Sequence, residues 1–315
     1  MTKIRSIESS ICVVIPAYKV SNTIIDVVKS IGPEVKKIIV VDDGCPEKSG
    51  QLILDKCKDK RLSVIFHRSN FGVGCAVKSG YKAAIKLGVD IVVKVDGDGQ
   101  MDTGQIPRLI LPIQRGTADY TKGNRFFNLE SIYTMPKIRI LGNMFLSFLS
   151  KLSSGYWKVF DPNNGFTAIS IDKLRLLPLS KLDDGYFFES DMLFRLKLLD
   201  TRITDISMVA IYRDEVSNLK IGRVMFEFPF KHFRNFHKRL IYTYYLRDFN
   251  LASLELPIGF ILFWFGIFYG FFHWLKGQLL NIATPQGTLI LVTMCILVGL
   301  QLLLSFFSYD TTSKD

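Results

Sequence analysis

The sequence predicts an α/β protein: a domain with a mostly parallel central sheet, followed by juxtamembrane amphipathic helices and two transmembrane helices. Three observations predict it. Short apolar runs alternate with longer helical patterns through the first half of the 315 residues, each run ends in a polar or turn-forming tip, and two uncharged stretches of membrane length stand near the end.

Residues 11–15, 37–41, 62–66 and 91–95 are short apolar runs of the kind that form buried strands. Between and after them, residues 21–31, 48–58, 73–87 and 103–115 carry helical patterns. That alternation predicts right-handed β-α-β units and a mostly parallel sheet, in which ligands bind at the carboxyl ends of the strands. Here those ends carry Pro16-Ala17-Tyr18, Asp42-Asp43-Gly44, Asn70-Phe71-Gly72 and Asp96-Gly97-Asp98.

Further along, residues 256–275 and 288–307 contain no charged side chain. About twenty residues rising ~1.5 Å each cross the ~30 Å of bilayer hydrocarbon, so both are expected to span a membrane rather than form a buried hairpin in a soluble core. Lys220, Arg223, Lys231, Arg234, Lys238, Arg239 and Arg247 precede the first span, whereas the loop between the spans offers only Lys276. The positive-inside bias then puts both termini and the catalytic portion in the cytoplasm, and the N-terminus lacks a signal-peptide pattern. The same cations interleave with Phe226, Phe228, Phe230, Phe233, Phe236, Tyr242, Tyr244 and Tyr245, a composition suited to lipid headgroups. They account for part of the formal net charge of +11, and their place beside the membrane, not on a reading module, argues against nucleic acid. Cys12, Cys45, Cys57, Cys75 and Cys295 are odd in number and lack C-x-x-C spacing, which predicts reduced thiols. The expected divisions are a cytoplasmic domain over 1–218, a basic aromatic juxtamembrane segment over 219–252 and a transmembrane hairpin with a short tail over 253–315.

The strand tips carry the chemistry. Asp42-Asp43-Gly44 also suits a plain strand-ending turn. Gly72-Val73-Gly74 resembles the start of a dinucleotide loop, but Val77 stands where the third glycine belongs. Asp96 and Asp98 are harder to explain as a turn, because two carboxylates at i and i+2 beyond a buried strand repel unless a cation or donors sit between them. Carboxylate oxygens together with nucleotide phosphates are the usual surroundings of Mg²⁺ or Mn²⁺.

The segments VVIPAY (13–18), VVDDG (40–44), NFGVGCAVKSGYKAA (70–84) and VDGDGQMD (95–102) resemble, in order and spacing, the inverting family-2 glycosyltransferases with the glycosyltransferase-A (Rossmann-like) fold. KGNRF (122–126), DPNNGFTAIS (161–170), GYFFESDML (185–193) and EVSNLK (215–220) narrow the resemblance to the polyprenyl-phosphate sugar synthases, the dolichyl-phosphate mannose synthase group. The resemblance implies that Pro16, Ala17, Tyr18, Asp43 and Asp96 line the nucleotide pocket and that Asp98, with Asp96, binds a divalent metal, Mg²⁺ or Mn²⁺. It places Gln100 beside the metal and sugar phosphate, Arg125 and the Asp161 loop near the acceptor, and Ser217, Lys220 and Arg223 at an acceptor phosphate. Where the family usually has Tyr-Asn-Glu, this chain reads Tyr18-Lys19-Val20, so one nucleotide contact differs.

The implied reaction moves a sugar, with inversion, from a UDP- or GDP-sugar to polyprenyl phosphate at a membrane, with homo-oligomerisation left open. The alternatives are transfer to a hydroxyl of a lipid-linked saccharide and a non-catalytic membrane scaffold. Glu189 and Asp191 bear on that choice. Phe188, Met192, Arg195 and Leu199 recur at helical spacing, which puts residues two apart on opposing sides. One carboxylate is therefore expected to face a cleft and the other to be solvated or to interact with the helix N-terminus. The resemblance favours Asp191 for the acidic position, the helical wheel favours Glu189, and the choice between them stays open.

Overall fold

The computed structural model describes residues 9–125, 137–208 and 221–312, except that the side chains of residues 137–141, 143 and 221–226 are not described. Seven strands form one mixed sheet in the order β3-β2-β1-β4-β6-β5-β7. They are β1 (Ile11–Ala17), β2 (Val35–Asp42), β3 (Leu62–Phe66), β4 (Ile91–Lys94), β5 (Tyr120–Asn124), β6 (Thr167–Ser170) and β7 (Ile203–Ser207). Between the first four lie α1 (Ile24–Ser30), α2 (Ser49–Lys56) and α3 (Val73–Leu87); α4 (Ile106–Gln114) leads to β5. Then come α5 (Lys137–Ser154), α6 (Ile171–Leu176), α7 (Phe188–Leu198) and α8 (Ile221–Leu240).

β1 pairs in parallel with β2 and β4, and β2 with β3. Only β6 runs against its neighbours, β4 and β5. All seven residues of β1 are buried, because helices cover both faces of the sheet, as a parallel core requires. Alternate residues divide between the two layers: Cys12 and Val14 pack with Tyr81 of α3 and Met192 of α7, whereas Val13 and Ile15 pack with Ile24 of α1 and Ile106 of α4.

The strand order reverses between β2-β1 and β1-β4, and a crevice opens at the carboxyl ends beside such a switch point. The reversal of β6 adds to the same edge. Its first residue, Thr167, pairs with Lys94 at the end of β4 and with Lys122 of β5, so the loop before β6 emerges where β4 and β5 end.

Most element limits differ from the sequence expectation by one to three residues, β2 starting two residues earlier and α1 three residues later than expected, and three of the differences have a clear local cause. β1 continues through Pro16 to Ala17, so these two residues belong to the buried strand and only Tyr18 stands beyond it. An extended strand suits the fixed φ of proline, and the ladder resumes beyond it with the Asp43 N–H donating to the Ala17 carbonyl at 3.0 Å. α2 begins at Ser49 because Lys48 adopts the left-handed conformation, φ 52°. The segment after the acidic tip opens with a 3₁₀ turn over Thr103–Gln105, and α4 follows with Pro107 in its first turn, where a missing N–H costs nothing.

The chain divides into compact units at Met1–Phe236 and His237–Asp315. In the second, α9 (Leu251–Leu280) and α10 (Gln286–Thr312) are long and apolar enough to cross a membrane. Asn250 starts α9 through a capping box with Ser253. Where the two helices meet, a Cβ on Gly299 would collide with the Phe263 backbone, so the close approach needs glycine there. Arg239 holds Asp310, near the end of α10, through Nη1 at 2.6 Å and Nη2 at 2.9 Å, and Tyr244 Oη donates to the same carboxylate at 2.7 Å. The start of α9 and the end of α10 therefore lie at the same end of the hairpin.

Candidate active site

Tyr18 follows β1 directly and carries Lys19 Nζ 5.6 Å from its ring centroid. Lys19 sits at φ 56°, a left-handed conformation that asparagine, usual in the resembling family, accepts more readily than lysine. At the end of β2, Asp42 caps the following loop and helix, accepting from the Cys45 and Gly50 N–H groups, each at 2.7 Å. Asp43 is as deeply buried and is held differently. Its carboxylate accepts from the Phe71 N–H at 3.1 Å and the Gly72 N–H at 2.8 Å, and its Oδ1 lies 2.7 Å from His67 Nδ1. His67 Nε2 in turn lies 2.8 Å from Ser79 Oγ. The motif NFGVG supplies these amides because Gly72, at φ 100°, turns the chain into α3 against the Asp184 carbonyl. His67 was not singled out from the sequence; its place at the end of a strand, shared with the acidic tips, was the available signal.

The β4 tip is held in another way. Asp98 Oδ1 accepts from the Gln100 N–H at 3.0 Å, an Asx turn completed by Gly99 at φ 72°. Asp96, Asp98 and Gln100 are all partly exposed at the carboxyl edge. Between Asp96 and the core stands Lys94, 1% exposed, whose Nζ donates to Asp96 Oδ1 at 2.7 Å and to Glu189 Oε1 at 2.8 Å. Burial works against its charge, but Asp96 and Glu189 outweigh that and raise its pKa. The cation expected near the acidic pair is thus in part a residue of the strand itself.

On the far side of β6, Arg125 follows β5 and forms a two-pronged pair with Asp161, Nε to Oδ2 at 2.7 Å and Nη2 to Oδ1 at 3.1 Å. The loop from Asp161 is pinned further. Asn164 Nδ2 donates to the Gly123 carbonyl at 2.8 Å, and the buried Lys122 donates to the Asn164 carbonyl. Burial lowers the Lys122 pKa to about 8, with Asp161 pulling the other way.

Of the two places expected for the second carboxylate, the solvated one is not found: Glu189 and Asp191 are both buried, and both stand in the first turn of α7. Glu189 is buried against Lys94, and Asp191, 1% exposed, accepts from Arg195 Nε at 3.0 Å, Asn235 Nδ2 at 3.0 Å and the Asp183 N–H at 3.1 Å. The physical reason is that α7 is enclosed on all sides over its first two turns, Phe188 to Phe194 being buried without a break, so no face is left for water. Lys231 of α8 adds an ion pair to Asp183 at 2.7 Å, which ties the loop before α7 to α8. Ser217 and Lys220 lie outside the described residues, and Arg223 falls in the first turn of α8 with its side chain outside them.

The structure therefore gathers Tyr18, Asp43, Asp96, Asp98, Gln100, Arg125 and Glu189 along the carboxyl edge, with Pro16 and Ala17 buried behind them and Asp191 buried beneath. Comparison with known proteins agrees with this frame. Residues 12–176 match the family model described as glycosyl transferase family 2. The chain belongs to glycosyl transferase family 2. This family 2 glycosyltransferase is 30% identical over 234 residues to UDP-N-acetylglucosamine–dolichyl-phosphate N-acetylglucosaminyltransferase of Methanococcus voltae, covering 69% of this chain and 93% of that one. It is 27% identical over 179 residues to undecaprenyl-phosphate mannosyltransferase of Micrococcus luteus, covering 56% and 72%. Among solved structures, glucosyl-3-phosphoglycerate synthase from Mycobacterium tuberculosis, crystallised with Mn²⁺, UDP and glucosyl-3-phosphoglycerate, superposes with a TM-score of 0.56 at 21% identity over 73% of this chain and 80% of that one. The glycosyltransferase-A-like fold, the family and the enzyme class expected from the sequence are borne out.

Proposed function

We propose that this glycosyltransferase moves a sugar, with inversion, from a nucleotide-sugar donor to a polyprenyl phosphate, at the cytoplasmic face of the membrane crossed by α9 and α10. One observation carries the choice of acceptor. A sugar hydroxyl needs a positioned base to remove its proton, whereas a phosphate is already an anion. Both carboxylates placed for that task are engaged, Glu189 by Lys94 and Asp191 by Arg195, Asn235 and the Asp183 amide. The Methanococcus and Micrococcus relatives are named as transferases to dolichyl phosphate and to undecaprenyl phosphate, which supports the same acceptor class.

A divalent ion fits the acidic tip. Among the described residues no group of three or more His, Cys, Asp or Glu side chains forms a closed metal cage. Mg²⁺ and Mn²⁺ need less here, since one or two carboxylates suffice when substrate phosphates complete the shell. Asp98 would hold the ion, with Asp96 and Gln100 beside it; one oxygen of each carboxylate already accepts a hydrogen bond, from Lys94 at Asp96 and from the Gln100 N–H at Asp98. When bound, the ion supplies positive charge to the departing nucleotide diphosphate. Asp43, fixed by His67 and the Phe71 and Gly72 amides, and Tyr18 would bind the nucleotide of a UDP- or GDP-sugar. Arg125, aimed by Asp161, would face the acceptor, with Ser217, Lys220 and Arg223 as contacts for its phosphate.

The pH-rate profiles of Glu189→Gln and Asp191→Asn test the acceptor class. Both variants should keep a wild-type acid limb with polyprenyl phosphate, because a phosphate acceptor has no proton for either carboxylate to remove. Complete loss in one variant, with the wild-type acid limb belonging to that group, would favour a hydroxyl acceptor. A general base is worth typically ~10²–10⁴-fold, so the two outcomes are well separated.

A further inference from the structure

Lys94 ends β4 in a run that otherwise carries only apolar side chains, yet it is among the most deeply buried residues of the chain. An ammonium taken from water into a core is stabilised only by partners of opposite charge, and Lys94 has two. They come from different elements: Asp96 stands at the tip of β4, and Glu189 lies in the first turn of α7. The register brings this about. Lys94 pairs with Thr167 and shares a sheet face with Val92, which packs in the same layer as Phe188 and Met192 of α7.

The loop before β6 closes over the junction. A Cβ on Gly165 would collide with both Lys94 Nζ and the Asp96 carboxylate. Among the described residues, Tyr81 of α3 and Tyr120 and Lys122 of β5 also lie within electrostatic reach. Two carboxylates thus share one buried cation, and without it they repel.

We propose that Lys94 is a positioning residue of the transfer reaction: it locks Asp96, on the donor side, to Glu189, on the α7 side, and so holds the two elements in one register. The inference rests on the donor reading of Asp96 but not on the identity of the acceptor. Misplacing reacting groups by about 1 Å costs ~10²-fold in rate, and charge-assisted bonds of this kind are the stiffest means of preventing it.

The test is a set of full-length variants in membranes: Lys94→Met, Glu189→Gln, the double variant K94M/E189Q, and Gly165→Ala. The kcat and donor KM are measured with the nucleotide sugar that the wild type consumes, and melting is followed in parallel. Lys94→Met should lower kcat by ~10²-fold and raise donor KM. K94M/E189Q should recover about tenfold of that kcat, because an amide at position 189 no longer repels Asp96. Gly165→Ala reaches the same pair without changing any charge, and should raise donor KM in a folded protein; it keeps the proposal testable even if Lys94→Met does not fold. Kinetic constants of Lys94→Met within about twofold of wild type would overturn the proposal, and so would a double variant no better than the product of the two single effects. Unchanged donor KM in Gly165→Ala would do the same. Wild-type transfer to polyprenyl phosphate reports separately on the acceptor, and if another acceptor is used the same variants are compared with that one.

Discussion

Buried cations organise the catalytic domain residue by residue. Lys94 is kept charged by two carboxylates, whereas Lys122, with a backbone carbonyl as its acceptor, is pushed the other way, to about 8. A lysine whose folded pKa lies below its unfolded value of 10.5 binds fewer protons folded than unfolded between those limits, so stability rises with pH across about 8 to 10.5 and the burial is unfavourable below that window. Lys122→Met removes this linkage. Chemical denaturation of the two proteins should show the wild type gaining roughly 3 kcal/mol relative to the variant between pH 7.5 and pH 10.5, at about 1.4 kcal/mol per unit; a difference independent of pH would show that Lys122 stays protonated. None of this was legible in the sequence beyond the presence of the residues. Lys94 was read as part of a buried strand, correctly, but its partner Glu189 is 95 positions away, and no local pattern reveals such a pairing.

At the scale of elements, α7 shows where pattern reading fails. A helical wheel assumes one wet face, and α7 has none over Phe188 to Phe194, so Glu189 and Asp191 are both buried and separately satisfied. By contrast α3 and β3 have the limits read from sequence, because Gly72 and Gly88 punctuate α3 and β3 is a bounded apolar run. The acidic tips of β2 and β4 were legible for the same reason: a strand that ends in Asp-Gly announces both its end and its direction. What holds α10 to the segment before α9 was not legible, since Asp310 looks like an ordinary tail residue. It is 4% exposed and bound by Arg239 and Tyr244. Asp310→Asn keeps the shape but leaves the buried guanidinium without its counter-charge, which should cost roughly 3–5 kcal/mol. Thermal melting in detergent should show that loss, and a variant that melts with the wild type would mean that the pair is solvated in the membrane.

The whole molecule joins a family 2 glycosyltransferase domain to a basic helix and an apolar hairpin; composition marked the last two, and the ordered motifs marked the first. The division between compact units falls at Phe236, inside α8, a position that follows from packing and that composition does not mark. With both hairpin helices in the bilayer, neither high salt nor alkaline carbonate should release the full-length protein from membranes. A chain ending near Asp248 should bind anionic vesicles only at low salt, since charges act over ~8 Å at physiological ionic strength. Release of the full-length protein by carbonate would remove the spanning helices from this description. The most direct measurement of what the enzyme does uses membranes containing it, a panel of radiolabelled nucleotide sugars, polyprenyl phosphate and Mg²⁺ or Mn²⁺, followed by analysis of the extracted lipid. Label from one donor should appear on polyprenyl phosphate and fall by ~10²-fold or more in Asp98→Asn. Label that reaches only a hydroxyl of a lipid-linked saccharide, or no lipid at all from any donor, would contradict polyprenyl phosphate as the acceptor.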